Sequence, residues 1–189
     1  WDTFPLVSQS YEDGDEFQEF GLRWSGQGFT YMSSPGWKIP GKPSLDDLPI
    51  SNFVGVASVI DLSQSKSSNQ ISPGDFTDSH SDVIRPLVIL RTDHANKIPL
   101  RRREYWSETV TLSPAIADFL AERGVVNVCV DLSCDTIPAR RSDKSGGIYN
   151  KNYEFRSRAH ALGMVVTENI IIPEKIPEEV FLFALPLRG

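Results

Sequence analysis

Near the middle of this 189-residue chain, Asp131-Leu132-Ser133-Cys134-Asp135 gathers two carboxylates, a hydroxyl and a thiol within five residues. Groups of these types can relay protons or attack a carbonyl. At the end of an apolar run, however, Asp131, Ser133 and Asp135 read as bonding backbone groups in a tight turn, with a substrate contact as the alternative. No histidine stands near Cys134 in the sequence to activate it as a nucleophile. The chain has three histidines, His80, His94 and His160, and no H-x-x-x-H pair. A first-row metal site needs three or four imidazole, thiolate or carboxylate ligands, so no local motif of that kind is present. His94 follows Arg91-Thr92-Asp93; an imidazole there is either an acid/base facing a pocket or a surface residue. Arg101-Arg102-Arg103 is followed at once by Glu104 and reads as a solvated loop or a subunit contact. Arg140, Arg141 and Lys144, with the Ser145-Gly146-Gly147 turn, read as an exposed loop or a lid.

The elements that must position these groups follow from patterning. Twenty-five acidic against 19 basic residues leave a net charge of −6, the wrong sign for a nucleic-acid binder. With 40% hydrophobic and 10% aromatic residues, the chain can bury a core and is expected to form one domain over 1–189. No run approaches the ~18 apolar residues of a membrane span, and Trp1-Asp2-Thr3-Phe4 has no basic n-region, so a cytoplasmic location is expected. Cys129 and Cys134 are too few for a disulfide framework and wrongly spaced for a CxxC motif, which fits reduced thiols.

The first 50 residues, rich in Gly, Pro, Ser and aromatics, read as strands and loops. Gly55–Leu62, Pro86–Arg91 and Val125–Asp131 are β-branched runs that read as buried strands. Between the last two lies a helix with a Ser113 cap, Pro114 in its first position, apolar Ile116, Phe119 and Leu120, and a stop at Gly124. Strand, helix and strand then form a parallel βαβ unit. A short helix over Asp75–Ile84, a helix from about Asn150 to Ala161, and strands over Met164–Thr167 and Val180–Leu187 complete an α/β reading.

Five segments in this order resemble one family. Tyr105–Asp135 (YWSETVTLSPAIADFLAERGVVNVCVDLSCD) is similar to a family run ending in Ser and Asp, here Ser133 and Asp135. Leu90-Arg91-Thr92, Thr167-Glu168-Asn169-Ile170, Leu185-Pro186-Leu187, and Asp47-Leu48-Pro49 followed by Val54-Gly55 match further segments. The family is the cyclase family of kynurenine formamidases, isatin hydrolases and related metal-dependent hydrolases. The resemblance implies a swivelling β/β/α domain, a mixed sheet with flanking helices, assembled as a homo-oligomer, a dimer or tetramer. It also implies a metal pair held by an H-x-G-T-H-x-D-x-P-x-H motif, with a further His and a Glu near Thr167–Ile170.

Aligned on Pro35, that motif survives as an outline. Its first His falls on Gln27, the second on Tyr31, the bridging Asp on Ser33 and the last, acid/base His on Trp37, while Thr30 and Pro35 are retained. Glu168 matches the family Glu; Arg156 stands at the usual spacing for the His, and His160 is the nearest imidazole. An amide, a phenol, a hydroxyl and an indole do not make a first-row metal site, so neither a bound metal nor another cofactor is expected. The remodelled site reads as an aromatic-walled pocket for a small organic substrate. Tyr31, Gln27 and Glu168 are the expected catalytic groups; Trp37, Ser33, Trp24, Phe29, His94, Arg156 and His160 are the expected substrate contacts. Phe17, Phe20 and Trp24 either line the pocket or pack the first sheet. The resulting expectation is a metal-independent cyclase-like enzyme of secondary metabolism, working by ring closure, dehydration, isomerisation or a pericyclic step. The alternatives are a non-catalytic ligand-binding relative and a hydrolase with an atypical site.

Overall fold

A computed structural model describes residues 4–23, 29–65, 70–76, 84–135 and 154–186. Its contacts divide the chain into two compact units, 1–31 and 32–189. In the first, β1 (Phe4–Gln9) pairs antiparallel with β2 (Glu19–Arg23), Phe4 opposite Arg23. Between them Ser10 caps a single 3₁₀ turn at Tyr11–Asp13, its side chain accepting from Glu12 N.

The second unit follows β3 (Tyr31–Ser33), which begins on the last residue of the first. In chain order come β4 (Val54–Asp61), β5 (Gln70–Ile71), β6 (Leu87–Arg91), α1 (His94–Lys97), α2 (Arg103–Ser107) and β7 (Thr111–Leu112). Then follow α3 (Pro114–Ala121), β8 (Asn127–Val130), α4 (Glu154–Ala161), β9 (Val165–Glu168) and β10 (Glu179–Phe183). Six strands form one mixed sheet in the order β10-β4-β6-β8-β9-β3. β4, β6, β8 and β9 run parallel, and β10 is antiparallel to β4. β5 and β7 make a separate parallel pair. The expected α/β class with a mixed sheet and flanking helices is therefore the observed one.

Period-two alternation divides the apolar residues between the two faces of the sheet. Ile60, Val88, Leu90, Val128 and Val130 pack with Ile116 and Leu120 of α3 and Phe155 and Ala159 of α4. Ala57, Val59, Leu87, Ile89 and Cys129 face the other way, against Ile172 from the segment after β9. Burying side chains of this size contributes about 1.5–3 kcal/mol each. α3 starts and stops where its sequence dictates: Ser113 Oγ accepts from Ala115 N, Pro114 sits at its first position, and Gly124 leaves the turn beyond it at φ +75°.

The boundaries of other elements differ from expectation. β10 ends at Phe183, short of Leu187, because Pro186 has no N–H to donate to a ladder. The helix expected from Asn150 is α4, observed over Glu154–Ala161; 150–153 and the basic Arg140–Gly147 stretch lie outside the described residues. Of the helix expected over Asp75–Ile84, the described residues are Asp75, Phe76 and Ile84; Asp75 closes a 3₁₀ turn at Pro73–Asp75, boxed by Ser72 and Asp75, and 77–83 lie outside the described residues.

Candidate functional site

The end of α4 is closed by Gly163 at φ +88°, a left-handed position that suits a residue without Cβ. Gly163 N donates to His160 O at 3.0 Å and Met164 N to Ala159 O at 3.0 Å, the paired bonds of a Schellman turn. That reversal brings the Met164 carbonyl back to 3.0 Å from His160 Nδ1. The carbonyl only accepts, so Nδ1 carries the hydrogen and Nε2 of the neutral ring keeps its lone pair. Nε2 faces Ser33 Oγ at 3.1 Å, across the sheet edge from β3. Both residues are buried. Burial above all holds His160 below the ordinary imidazole range, and the Arg156 charge acts in the same direction.

One helical turn earlier, Arg156 points into the same space, fully buried beside Glu168 at the end of β9. Arg156 Nη2 is 2.6 Å from Glu168 Oε2, and Arg156 Nε is 3.6 Å from Asp135 Oδ2. Glu168 Oε1 accepts from Cys134 N at 2.9 Å, and Cys134 Sγ lies 2.9 Å from the same oxygen. Asp135 Oδ1 accepts from Phe155 N at 3.0 Å in the first turn of α4. Two buried carboxylates thus share one guanidinium, and burial pushes Asp135 up to about 7 against the pull of Arg156. Burial, together with Glu168 and Asp135, also drives the Cys134 thiol well above its usual value, which leaves it protonated and unreactive.

Asp131 serves the backbone. It accepts from Thr92 N at 2.9 Å, Thr92 Oγ1 at 2.6 Å and Asp93 N at 2.7 Å, tying the end of β6 to that of β8. The Tyr105 hydroxyl lies 3.2 Å from Asp131 O and 3.0 Å from Asn169 Oδ1, next to Glu168 in sequence. Asn169 holds φ +59°, a conformation Asn tolerates better than most side chains. His94 is not a surface residue: it is 8% exposed, stacks at 4.6 Å on Tyr105 and places Nε2 2.9 Å from Tyr105 O. Its packed aromatic neighbour lies eleven residues away, beyond any local pattern.

Outside this buried cluster, an open groove of about 340 Å³ is lined by Ser33, Ser34, Trp37, Ser44, Leu45 and Asp46. Gly36 shapes its wall: a Cβ there would meet Lys42 O and Pro43 O at 2.8 Å, and Gly36 N donates to Pro43 O at 2.8 Å. The tight loop turns Trp37 over the cluster, its ring 5.2 Å from Arg156 Cζ and 6.2 Å from the His160 ring. Among the described residues one indole, Trp37, lines the groove, and behind it stand the charged Arg156 and Glu168.

Of the residues expected at the site, the structure brings together Ser33, Trp37, Arg156, His160 and Glu168. Tyr31 is half-buried at the start of β3, and Phe29, 44% exposed, precedes it in the first unit. His94 is enclosed with Tyr105. Gln27, Trp24 and His80 lie outside the described residues. The sequence reads Asp135 and Cys134 as turn residues; their link to Arg156 and Glu168 spans 21 to 34 positions, and no local pattern carries it.

The metal pair implied by the resemblance does not fit this donor set. A guanidinium, which has no lone pair to give, occupies one side of Glu168, and a hydroxyl, Ser33, stands at the sequence position that the resemblance gives to a bridging Asp. Among the described residues no group of three or more His, Cys, Asp or Glu is arranged to hold a metal ion.

Comparison with known proteins agrees with the fold. Residues 3–135 match the Cyclase family model, described as "Putative cyclase". No curated protein matches. Among solved structures, isatin hydrolase A from Labrenzia aggregata, bound to benzyl benzoate, superposes with a TM-score of 0.73 at 18% identity, covering 98% of this chain and 77% of that one. Isatin hydrolase A from Ralstonia solanacearum gives 0.68 at 18% identity, covering 98% and 75%. An isatin hydrolase bound to the product analogue thioisatinate gives 0.68 at 14% identity, covering 94% and 72%. With a match over residues 3–135 and this shared fold, the chain belongs to the cyclase family.

Proposed function

We propose that this chain is a metal-independent enzyme of the cyclase family that acts on a small organic molecule bound in the Ser33–Trp37 groove. The observation that supports the reading is the 2.6 Å contact between Arg156 and Glu168. The positive charge that a buried carboxylate requires is here part of the chain itself. Catalysis then rests on positioning, hydrogen bonding and proton transfer. Ring closure, dehydration, isomerisation and a pericyclic step all fit that repertoire, and a role in secondary metabolism goes with it. Both oxygens of Glu168 are engaged, so its part in this reading is to hold Arg156 and the Cys134 turn, while Tyr31 and Gln27 remain the proposed hydrogen-bonding groups.

A homo-oligomer in the cytoplasm belongs to the same reading. In its support, Phe181 and Phe183 of the edge strand β10 are 70% and 68% exposed. No helix among the described residues is long and apolar enough to cross a membrane.

A second reading, a non-catalytic ligand-binding relative, is favoured by the burial of His160 and Arg156 behind Trp37. Turnover separates the two. Protein dialysed against EDTA should convert members of a small-molecule panel of esters, lactones and hydroxy acids at an unchanged rate. Activity that appears only on adding Zn²⁺ or Mn²⁺ would overturn the proposal, and binding without conversion would establish the second reading.

A further inference from the structure

We propose that Ser33 and His160 form a nucleophile–base pair that takes an ester or lactone through an acyl-Ser33 intermediate. The inference rests on the metal-independent reading above and adds to it a substrate class and two chemical roles.

Three observations carry it. Ser33 Oγ is 3.1 Å from His160 Nε2, within reach of direct proton transfer. His160 Nδ1 is anchored 3.0 Å from the Met164 carbonyl, which selects the tautomer with a free lone pair on Nε2 and fixes the ring plane. Ser33, 4% exposed, is also one of the residues that line the open groove, so the pair lies next to a space that can hold a substrate. The hydroxyl has one other acceptor, Val166 O at 3.4 Å, which is the longer contact and at the limit of hydrogen bonding. The arrangement has the order nucleophile, base and orienting acceptor, with a backbone carbonyl in the orienting place.

The step balances. A lone pair of Ser33 Oγ attacks the acyl carbon while His160 Nε2 accepts the hydroxyl proton. The tetrahedral adduct collapses, the acyl C–O bond breaks, and His160 returns the proton to the departing alkoxide. Water, or a hydroxyl elsewhere on the same acyl group, then attacks acyl-Ser33 through the same base. Water yields the free acid, and an internal hydroxyl yields a ring. Arg156 is unsuited to the base role because its guanidinium stays protonated, yet its charge beside His160 favours the neutral imidazole that the first step needs.

Diisopropyl fluorophosphate tests the pair directly, since it phosphorylates an activated serine with loss of fluoride. Peptide mapping should find one adduct, on Ser33, absent in Ser33→Ala and formed at least ~100-fold more slowly in His160→Gln. In a second variant, Ser33→Cys, iodoacetamide should alkylate the new thiol, faster than in Ser33→Cys/His160→Gln; Cys129 and Cys134 are buried and do not compete. No adduct on the folded protein, an adduct elsewhere, or equal alkylation rates in the two cysteine variants would overturn the inference. Metal-independent turnover that persists in Ser33→Ala would also remove the dyad, while leaving the broader reading intact. Turnover restored only by Zn²⁺ or Mn²⁺ would instead remove that broader reading.

Discussion

Arg156 Nη2 meets Glu168 Oε2 at 2.6 Å, and neither side chain is more than 2% exposed. The pair joins α4 to the end of β9, with Cys134 N on the other carboxylate oxygen and Asp135 beside the guanidinium. A carboxylate withdrawn from water must be offset by positive charge and hydrogen bonds, and this one receives both from within the protein.

Breaking the pair from one side should be costly. Arg156→Met leaves Glu168 and Asp135 buried without their cation and is expected to lower the unfolding free energy by about 3–5 kcal/mol. Urea titration of Arg156→Met, Glu168→Gln and the double variant provides a thermodynamic cycle. A loss in the double variant close to the sum of the single losses would show that the two side chains do not interact.

Acidity should act on stability in two opposed ways. Asp135 titrates near 7 in the folded protein and near ~3.9 when unfolded, so between those values the folded chain binds more protons. Its contribution therefore declines as pH rises from about 4 to about 7. His160, held below the ordinary ~6.5, does the reverse: below that value the unfolded chain binds the extra proton and stability falls with acidification. Urea midpoints measured from pH 4.5 to 8 should lose the first slope in Asp135→Asn and the second in His160→Gln. Unchanged slopes in both variants would contradict the assignment.

Gly163→Ala isolates the turn that orients His160. Nothing lies within 4 Å of the added Cβ, so the penalty comes from φ +88° alone, about 1 kcal/mol. Thermal melting should register that loss. The same variant should slow phosphorylation of Ser33, because backbone strain at residue 163 loosens the turn that sets the Met164 carbonyl against Nδ1; a labelling rate equal to that of the parent would show that the turn does not matter to the ring.

The two thiols offer a simple check on burial. Cys129 is pushed up to about 11 and Cys134 well above its usual value, each chiefly by burial. Ellman's reagent should find no reactive thiol in the native protein and two after denaturation in guanidinium chloride. Rapid reaction of Cys134 in the native state would mean that the Glu168 cluster opens to solvent.

Elements whose causes are local were legible in the sequence. α3 could be bounded from Ser113, Pro114 and Gly124 because a cap, a proline and a glycine act within one turn. β4, β6 and β8 could be read from their β-branched runs because strands buried on both faces admit little else. The family was legible because several short segments keep their order, although Gln27, Ser33, Trp37 and Arg156 depart from its ligand types. The partners of those residues were not legible. Ser33 and His160 are 127 positions apart, Cys134 and Glu168 are 34 apart, and His94 is enclosed by an aromatic eleven residues on. Side-chain type limits what each group can donate, accept or ionise, and the sequence alone determines that. Which groups meet, and whether water reaches them, depends on the sheet order that places β9 between β8 and β3, and only the tertiary structure decides it.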